Sequence, residues 1–131
     1  MTSAETPLDL SQIIKAYDVR GLAPQQFSPQ VARAIGAAFG DVVVIPENSG
    51  GQKPRAVIGQ DMRDTGPELV AAFAQGLADR GVDAVLIGLC STDGLYHASG
   101  VLDLPGAMLT ASHNPAEYNG IKLARSGARP V

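Results

Sequence analysis

Short apolar runs alternate with segments of helical periodicity along this chain of 131 residues, and this alternation restricts the fold more than any other feature. Apolar runs of this length are typical of buried strands, while apolar residues three and four apart are typical of packed helices. The predicted strands comprise residues 55–59, 83–88, 106–111 and 120–124. Strands that alternate with helices predict a three-layer α/β/α domain around a mixed, mostly parallel four-stranded sheet.

Three helices are predicted from the residues that begin them. Ser28 precedes Pro29, which places a capping hydroxyl before a proline suited to the first helical turn. Thr65 is the predicted cap of the second helix, and Thr92 or Asp93 is the predicted cap of the third. The last predicted strand follows a short loop, so we expect it to pair antiparallel at an edge of the sheet.

The composition argues against several classes of partner. The net charge is −3 and there is no long basic run, which disfavours nucleic acid and anionic membranes as partners. No apolar run approaches the roughly 20 residues that a membrane span needs. Cys90 is the only cysteine, so an intrachain disulfide is excluded and a reducing compartment, the cytoplasm, is expected. Cys90 has no evident base beside it and is interpreted as an inert thiol.

The chain is expected to hold one domain. Residues 1–10 are polar, lack the pattern of a secretory signal, and are predicted to be a flexible leader to a domain over residues 11–131. Residues 13–17 are a candidate for a further short strand. Residues 126–131 are typical of a turn that leads elsewhere, which favours the first domain of a longer protein.

The segment from Thr110 to Pro115 carries the side chains best suited to chemistry. It follows an apolar run, so it is expected at a strand end, where open α/β folds place their sites. Ser112 lacks the flanking glycines of a nucleophile elbow, which disfavours a hydrolase of that type. A stiff loop that presents one hydroxyl suits phosphoryl transfer, which depends on positioning and charge. Spacing alone also permits Ser112, His113 and Asn114 to be simple turn formers.

Two arginines and one lysine are candidate phosphate ligands. Lys122 shares a strand face with Gly120, so it either points back toward the loop or is a solvated edge lysine. Arg20 lies in a tight turn and suits either phosphate binding or a structural ion pair. For Arg63, which Asp61 and Asp64 surround, the structural ion pair is favoured. His, Cys and Asp residues nowhere show complete metal-ligand spacing, and His97 is interpreted as a packing or surface residue.

Three motifs in order resemble one family. The run Thr110–Pro115, followed by Tyr118–Lys122, resembles the phosphoserine loop of the alpha-D-phosphohexomutases, which include the bacterial phosphomannomutase/phosphoglucomutases. Tyr17–Gly21 looks like the family's amino-terminal motif, and Gly59–Arg63 resembles its second-strand turn. The serine loop is highly specific, and together the motifs span nearly the whole chain.

The resemblance implies a function. The family has four domains around a cleft, and this chain looks like the first, docked on the later domains. Ser112 would carry a phosphoryl group that passes to a hexose 1- or 6-phosphate, through a hexose 1,6-bisphosphate. Magnesium would bind the phosphate of Ser112 together with an aspartate-rich loop of the second domain.

The resemblance also implies roles for the neighbours of Ser112. Arg20 and Lys122 match family residues near the reacting phosphate, with Lys122 a candidate proton shuttle. His113 and Asn114 match positions that line the site, and Tyr17 flanks it. The catalytic set would be Ser112, Lys122, Arg20 and His113, and the substrate-binding set Tyr17, Asn114, Arg20 and Lys122.

Departures from the family pattern leave alternatives open. No aspartate-rich metal loop occurs in this sequence, so residues 1–131 alone are expected to be inactive. A phosphoglucosamine mutase is disfavoured by Ala111, where that branch usually carries serine. A non-catalytic phosphosugar-binding module remains an alternative, whereas a flavodoxin-like domain lacks its phosphate-cradling glycine turn. Preference between mannose and glucose stays open.

Overall fold

The computed structural model describes residues 18–23, 27–48, 51–110 and 118–130. The helices are α1 (Pro29–Phe39), α2 (Ile45–Glu47), α3 (Gly66–Asp79) and α4 (Thr92–Leu102). The strands are β1 (Asp18–Leu22), β2 (Arg55–Gln60), β3 (Asp83–Leu89), β4 (Gly106–Leu109), β5 (Tyr118–Arg125) and β6 (Arg129–Pro130). A π-helical turn over Gly40–Val44 joins α1 to α2, and a 3₁₀ turn over Ser126–Ala128 joins β5 to β6.

The strands form one mixed sheet in the order β1-β5-β4-β2-β3, with β6 paired to β5. Strand β2 is parallel to both β3 and β4, while β5 is antiparallel to β4, β1 and β6. The four predicted strands are therefore present as β2 to β5, and their pairings with one another are mostly parallel, which confirms the predicted α/β fold. The sheet is extended by β1 and β6, which add antiparallel pairs to β5. Strand β5 is therefore antiparallel as predicted, but it lies between β4 and β1 and not at the predicted edge.

Side chains that alternate along the strands build a core on each face of the sheet. Ile58 of β2 and Leu109 of β4 are buried in the larger cluster, against α1 and α3. Val57 and Met108, which directly precede Ile58 and Leu109 in sequence, are buried with Leu95 of α4 on the opposite face. This two-residue period is that of strands covered on both faces, and it produces the predicted α/β/α layers.

Capping residues explain where the helices begin, with two corrections to the sequence-based predictions. Ser28 caps α1 as predicted, because its hydroxyl accepts from the amide of Val31 at 3.2 Å. Thr65 does not cap α3 through its side chain. Its hydroxyl instead accepts a hydrogen bond from Asn119 at 2.8 Å. The cap of α4 is Ser91, one residue earlier than predicted, and it accepts from the amide of Gly94 at 2.9 Å.

Glu47 binds the turn between β5 and β6 through its carboxylate. Its carboxylate accepts hydrogen bonds from the amide of Ser126 and from Nη1 of Arg125, each at 2.9 Å. Burial raises the pKa of Glu47, but these donors and the charge of Arg129 outweigh burial, so the pKa is lowered from its ordinary value. These contacts hold the turn after β5, from which β6 returns to the sheet.

Within the described residues, no helix is long and apolar enough to cross a membrane.

Candidate active site

Three strands bring polar residues to one edge of the sheet, here the edge formed by the carboxyl ends of the parallel strands. Strands β2 and β4 are parallel, and the register pairs Gln60 with Leu109, so both strands end at the same level. Antiparallel β5 begins at this edge, with Ile121 opposite Leu109. Asp61, Thr110 and the first residues of β5 therefore converge where parallel sheets carry their sites.

Asp61 connects the ends of β2 and β4. Its Oδ2 accepts a hydrogen bond from the hydroxyl of Thr110 at 2.6 Å and another from Nε of Arg63 at 3.1 Å. Its Oδ1 accepts from the amide of Arg63 at 3.2 Å, and its own amide donates to the carbonyl of Leu109 at 3.2 Å. The structural ion pair predicted for Arg63 is thus confirmed, with Asp61 as the partner.

Asn119 links the start of β5 to the start of α3 by a hydrogen bond. It is fully buried, and its Nδ2 donates to the hydroxyl of Thr65 at 2.8 Å. Its Oδ1 accepts from the amide of Gly120 at 2.9 Å, and the carbonyl of Gly120 accepts from the amide of Thr110 at 2.9 Å. The residues on both sides of segment 111–117 are therefore bonded to one another and to the turn between β2 and α3, which comprises residues 61–65.

The hydrogen bonds that join Asp61 to Thr110 and Thr65 to Asn119 were not predicted from the sequence. Asp61 stands two residues after the predicted strand 55–59, and Thr110 stands near the end of the predicted strand 106–111. A parallel arrangement of those strands would therefore have indicated their contact. No comparable signal pointed to Asn119, because its partner Thr65 lies 54 residues away.

Comparison with known proteins agrees with this architecture. The family model described as phosphoglucomutase/phosphomannomutase, alpha/beta/alpha domain I, matches residues 11–131. The chain belongs to the phosphoglucomutase/phosphomannomutase family. The phosphohexomutase resemblance of the three sequence motifs is confirmed by this match.

Relatives in this family share sequence and fold with the chain. A phosphomannomutase of Salmonella typhimurium is 42% identical over 119 residues, which cover 89% of this chain and 24% of that protein. A phosphomannomutase/phosphoglucomutase of Pseudomonas aeruginosa is 38% identical over 128 residues, covering 97% and 27%. The crystal structure of a phosphoglucomutase/phosphomannomutase family protein from Burkholderia thailandensis superimposes with a TM-score of 0.76 at 40% identity, covering 88% and 26%. The chain thus spans about a quarter of the length of these relatives.

The predicted phosphohexomutase residues fall into two groups. Tyr17, Ser112, His113 and Asn114 lie outside the described residues. Arg20 lies within strand β1, so the tight turn predicted for it is wrong, and its register partner is Gly120 of β5. Lys122 pairs with Asp18 of β1 and with Met108 of β4. The backbone positions of Arg20 and Lys122 are therefore diagonal neighbours on adjacent strands, at the edge where segment 111–117 begins and ends.

Lys122 lies on the α4 side of the sheet. Its neighbour Ile121 is buried on the side of α1 and α3, and alternate residues of a strand face opposite sides. Its register partner Met108 belongs to the cluster around α4. Lys122 is half-buried.

The described residues do not form a magnesium site by themselves. Among residues 18–23, 27–48, 51–110 and 118–130, no three His, Cys, Asp or Glu side chains are placed to hold a metal ion. The Asp61 carboxylate, the acidic group at the edge, already accepts from Thr110 and Arg63. A family metal would therefore need ligands in addition to these residues.

Cys90 lies at the same edge, at the end of β3, and its surroundings favour the inert thiol predicted from sequence. Burial raises the pKa of the Cys90 thiol, which keeps it protonated at neutral pH. Its sulfur lies 3.8 Å from the sulfur of Met108, in the apolar cluster beneath α4. His97 is exposed on α4, as a surface histidine.

Proposed function

We propose that this chain is the first domain of a phosphohexomutase that interconverts hexose 1-phosphates and hexose 6-phosphates, with mannose or glucose as the sugar. The observation that carries the proposal is the network at the sheet edge. It joins Asp61, in the family's second-strand turn, to Thr110 before the serine loop, and it joins Thr65, just after that turn, to Asn119 beyond the loop. The names of the relatives, phosphomannomutase and phosphoglucomutase, support the substrate class.

In the proposed reaction, Ser112 carries a phosphoryl group. A hydroxyl oxygen of the hexose monophosphate attacks the phosphorus, the bond from phosphorus to Ser112 breaks, and a hexose 1,6-bisphosphate forms. The bisphosphate reorients and returns its other phosphoryl group to Ser112, so the phosphate count of the enzyme is unchanged. Because phosphoryl transfer relies on positioning and charge, the surrounding cations determine its rate.

The remaining family positions supply charge and contacts. We assign Arg20 and Lys122 to the reacting phosphate, with Lys122 also moving the proton of the attacking hydroxyl. We assign His113 to the reacting loop, and Tyr17 and Asn114 to the substrate. The neighbouring backbone positions of Arg20 and Lys122 on β1 and β5 support a shared phosphate site.

We further propose that Mg²⁺ binds the phosphate of Ser112 and neutralises part of its charge when bound. Its other ligands would come from residues outside this chain, as would the groups that recognise the sugar. This chain would therefore dock on further domains of the complete protein, and residues 1–131 alone would be inactive. The single cysteine, Cys90, favours the cytoplasm as the location.

The proposed function is tested by assaying the complete gene product and residues 1–131 separately. Each is given mannose 1-phosphate, glucose 1-phosphate or glucosamine 1-phosphate, with Mg²⁺ and glucose 1,6-bisphosphate. We expect turnover of mannose or glucose 1-phosphate by the complete gene product and no turnover by residues 1–131. Exclusive turnover of glucosamine 1-phosphate would replace the sugar assignment, and full activity of residues 1–131 would contradict the need for outside ligands.

Lys122→Met in the complete gene product is expected to lower kcat by about 10²-fold, the lower end of what acid–base groups contribute. The change in KM should stay within about threefold, since a proton shuttle acts mainly in the transition state. Steady-state kinetics with glucose 1-phosphate measure both constants. Lys53→Met is the matched control, because Lys53 is exposed and pairs with Asp83 at 3.0 Å in a surface ion pair. A rise in KM with kcat unchanged would make Lys122 a binding residue.

A further inference from the structure

A three-residue network at the sheet edge holds the residue from which the serine loop departs. We propose that Asp61 is a positioning residue for phosphoryl transfer and that it acts through the hydroxyl of Thr110. The inference rests on the proposed function, because it supposes that Ser112 is the phosphoryl carrier. Its direct evidence is the arrangement of Asp61, Arg63 and Thr110, all of which are described in the structure.

The hydrogen bond from Thr110 to Asp61 is short and shielded. The oxygen atoms are 2.6 Å apart, within the range of charge-assisted bonds between a hydroxyl and a carboxylate. Thr110 is only 4% exposed, and the Asp61 side chain is 26% exposed. Such a bond, partly removed from water, fixes the rotamer of Thr110 and the place of its backbone.

Arg63 makes the Asp61 carboxylate a fixed point. The guanidinium and the amide of Arg63 approach different oxygen atoms of the carboxylate, at 3.1 Å and 3.2 Å. The Arg63 side chain is only 10% exposed, so this pair is better shielded than a surface ion pair. Both carboxylate oxygens are therefore held, and rotation of the Asp61 side chain away from Thr110 would break bonds to Arg63.

Thr110 transmits this constraint toward Ser112. It stands two residues before Ser112 in the sequence, a separation of at most about 7 Å along the chain. A shift of Thr110 therefore acts two residues from the proposed phosphoryl carrier. Misplacement of a reacting group by about 1 Å can cost about 10²-fold in rate.

The other side of the loop is anchored independently. Asn119 is fully buried and donates a hydrogen bond to Thr65. Thr65 and Asp61 are different residues of the turn between β2 and α3. Loss of the bond between Thr110 and Asp61 therefore leaves the downstream anchor in place. We expect a variant that lacks the Thr110 hydroxyl to keep the fold, while residue 110 is held less firmly at the upstream side of the loop.

The test compares Thr110→Val with Thr110→Ser in the complete gene product. Valine keeps the shape of threonine and removes the hydroxyl, whereas serine restores the donor. Thr110→Val is expected to lower kcat about 10- to 100-fold with KM within about threefold, and Thr110→Ser to stay within about threefold of the unmodified enzyme. The double variant Asp61→Ala/Thr110→Val should lose no more than the worse single variant, because the two groups act as one pair.

A matched control separates positioning from general loss of charge or stability. Asp79→Asn removes a carboxylate that pairs with Arg33 at 2.8 Å on the exposed surface of α1 and α3, and it should leave kcat unchanged. If Asp61→Ala fails to fold, the two Thr110 variants decide alone. An unchanged kcat in Thr110→Val, or a loss that Thr110→Ser does not rescue, would overturn the inference.

One further measurement distinguishes failure of the inference from failure of the proposed function. The unmodified protein is incubated with glucose 1,6-bisphosphate, and phosphate on Ser112 is mapped by mass spectrometry. If Ser112 takes up phosphate and Thr110→Val transfers it at the unmodified rate, only the role of Asp61 is wrong. If Ser112 takes up no phosphate, the proposed function is wrong and the role of Asp61 is wrong with it.

Discussion

Ser112→Ala in the complete gene product is expected to lower kcat by about 10⁴-fold or more, as removal of an enzyme's nucleophile typically does. Alanine lacks the oxygen that would carry the phosphoryl group, and a neighbouring residue could not replace it at the same place. The protein should still fold, since the change removes one oxygen atom and adds no bulk. Steady-state kinetics and a thermal melt on the same sample measure both effects.

Ser126→Ala is the matched control for this prediction. Ser126 lies in the turn after β5, where its amide donates to Glu47 at 2.9 Å and its carbonyl accepts from Arg129 at 2.9 Å. Those backbone bonds survive the substitution, and the site edge is at the other end of β5. The control should therefore turn over at the unmodified rate. If Ser112→Ala did the same, Ser112 would not be the phosphoryl carrier.

Gly76→Ala is expected to lower the free energy of unfolding by about 3 kcal/mol, the upper range for overpacking. Gly76 of α3 lies against α1, where an added Cβ would collide with the carbonyl oxygen of Arg33 and approach the amide nitrogen of Ala37 to 2.8 Å. These are backbone atoms, so relief requires the helices to move apart. Gly36 of α1 makes the reciprocal approach to the backbone of Phe73, so both helices depend on this spacing.

Gly100→Ala is expected to change the free energy of unfolding in the opposite direction, and the same experiment measures it. Gly100 lies within α4, and an added Cβ there would meet no atom within 4 Å. Alanine should therefore raise the free energy of unfolding by about 0.5–1 kcal/mol through helix propensity alone. Urea denaturation of the 131-residue chain measures both variants. Equal stability of Gly76→Ala and Gly100→Ala would contradict the close contact between α1 and α3.

The strands and layers could be predicted because their signals are local. Alternation of buried residues such as Val57 and Ile58 follows from the two faces of a covered strand, and Ser28 before Pro29 marks a helix start within a few residues. Thr65 has the same local signal, yet its hydroxyl bonds to Asn119 from a distant strand. Strand β6 was missed because it consists of only two residues and depends on the turn that Glu47 holds.

The candidate site likewise has a part that could be predicted from local sequence and a part that depends on distant contacts. The motif around Ser112 could be identified from sequence because its residue types are contiguous. The hydrogen bond between Asp61 and Thr110 could not be identified from sequence, because it joins residues 49 apart and depends on β2 and β4 being adjacent. The structural pairing of Arg63 was predicted because Asp61 is only two residues away.

Ser112 is proposed to carry a phosphoryl group that it passes to a hexose monophosphate. The most direct test incubates the complete gene product with Mg²⁺ and glucose 1,6-bisphosphate, removes the excess, and maps phosphate by mass spectrometry of the peptide that contains Ser112. The bisphosphate carries ¹⁸O in its phosphoryl groups, and half of the sample is first mixed with unlabelled glucose 1-phosphate and mannose 1-phosphate. We predict one phosphate on Ser112 in both halves, with unlabelled phosphate in place of labelled phosphate in the mixed half, because the label passes to the sugar and the bisphosphate returns its other phosphoryl group. Absence of phosphate from Ser112, or ¹⁸O label that stays on Ser112 in the mixed half, would contradict this role.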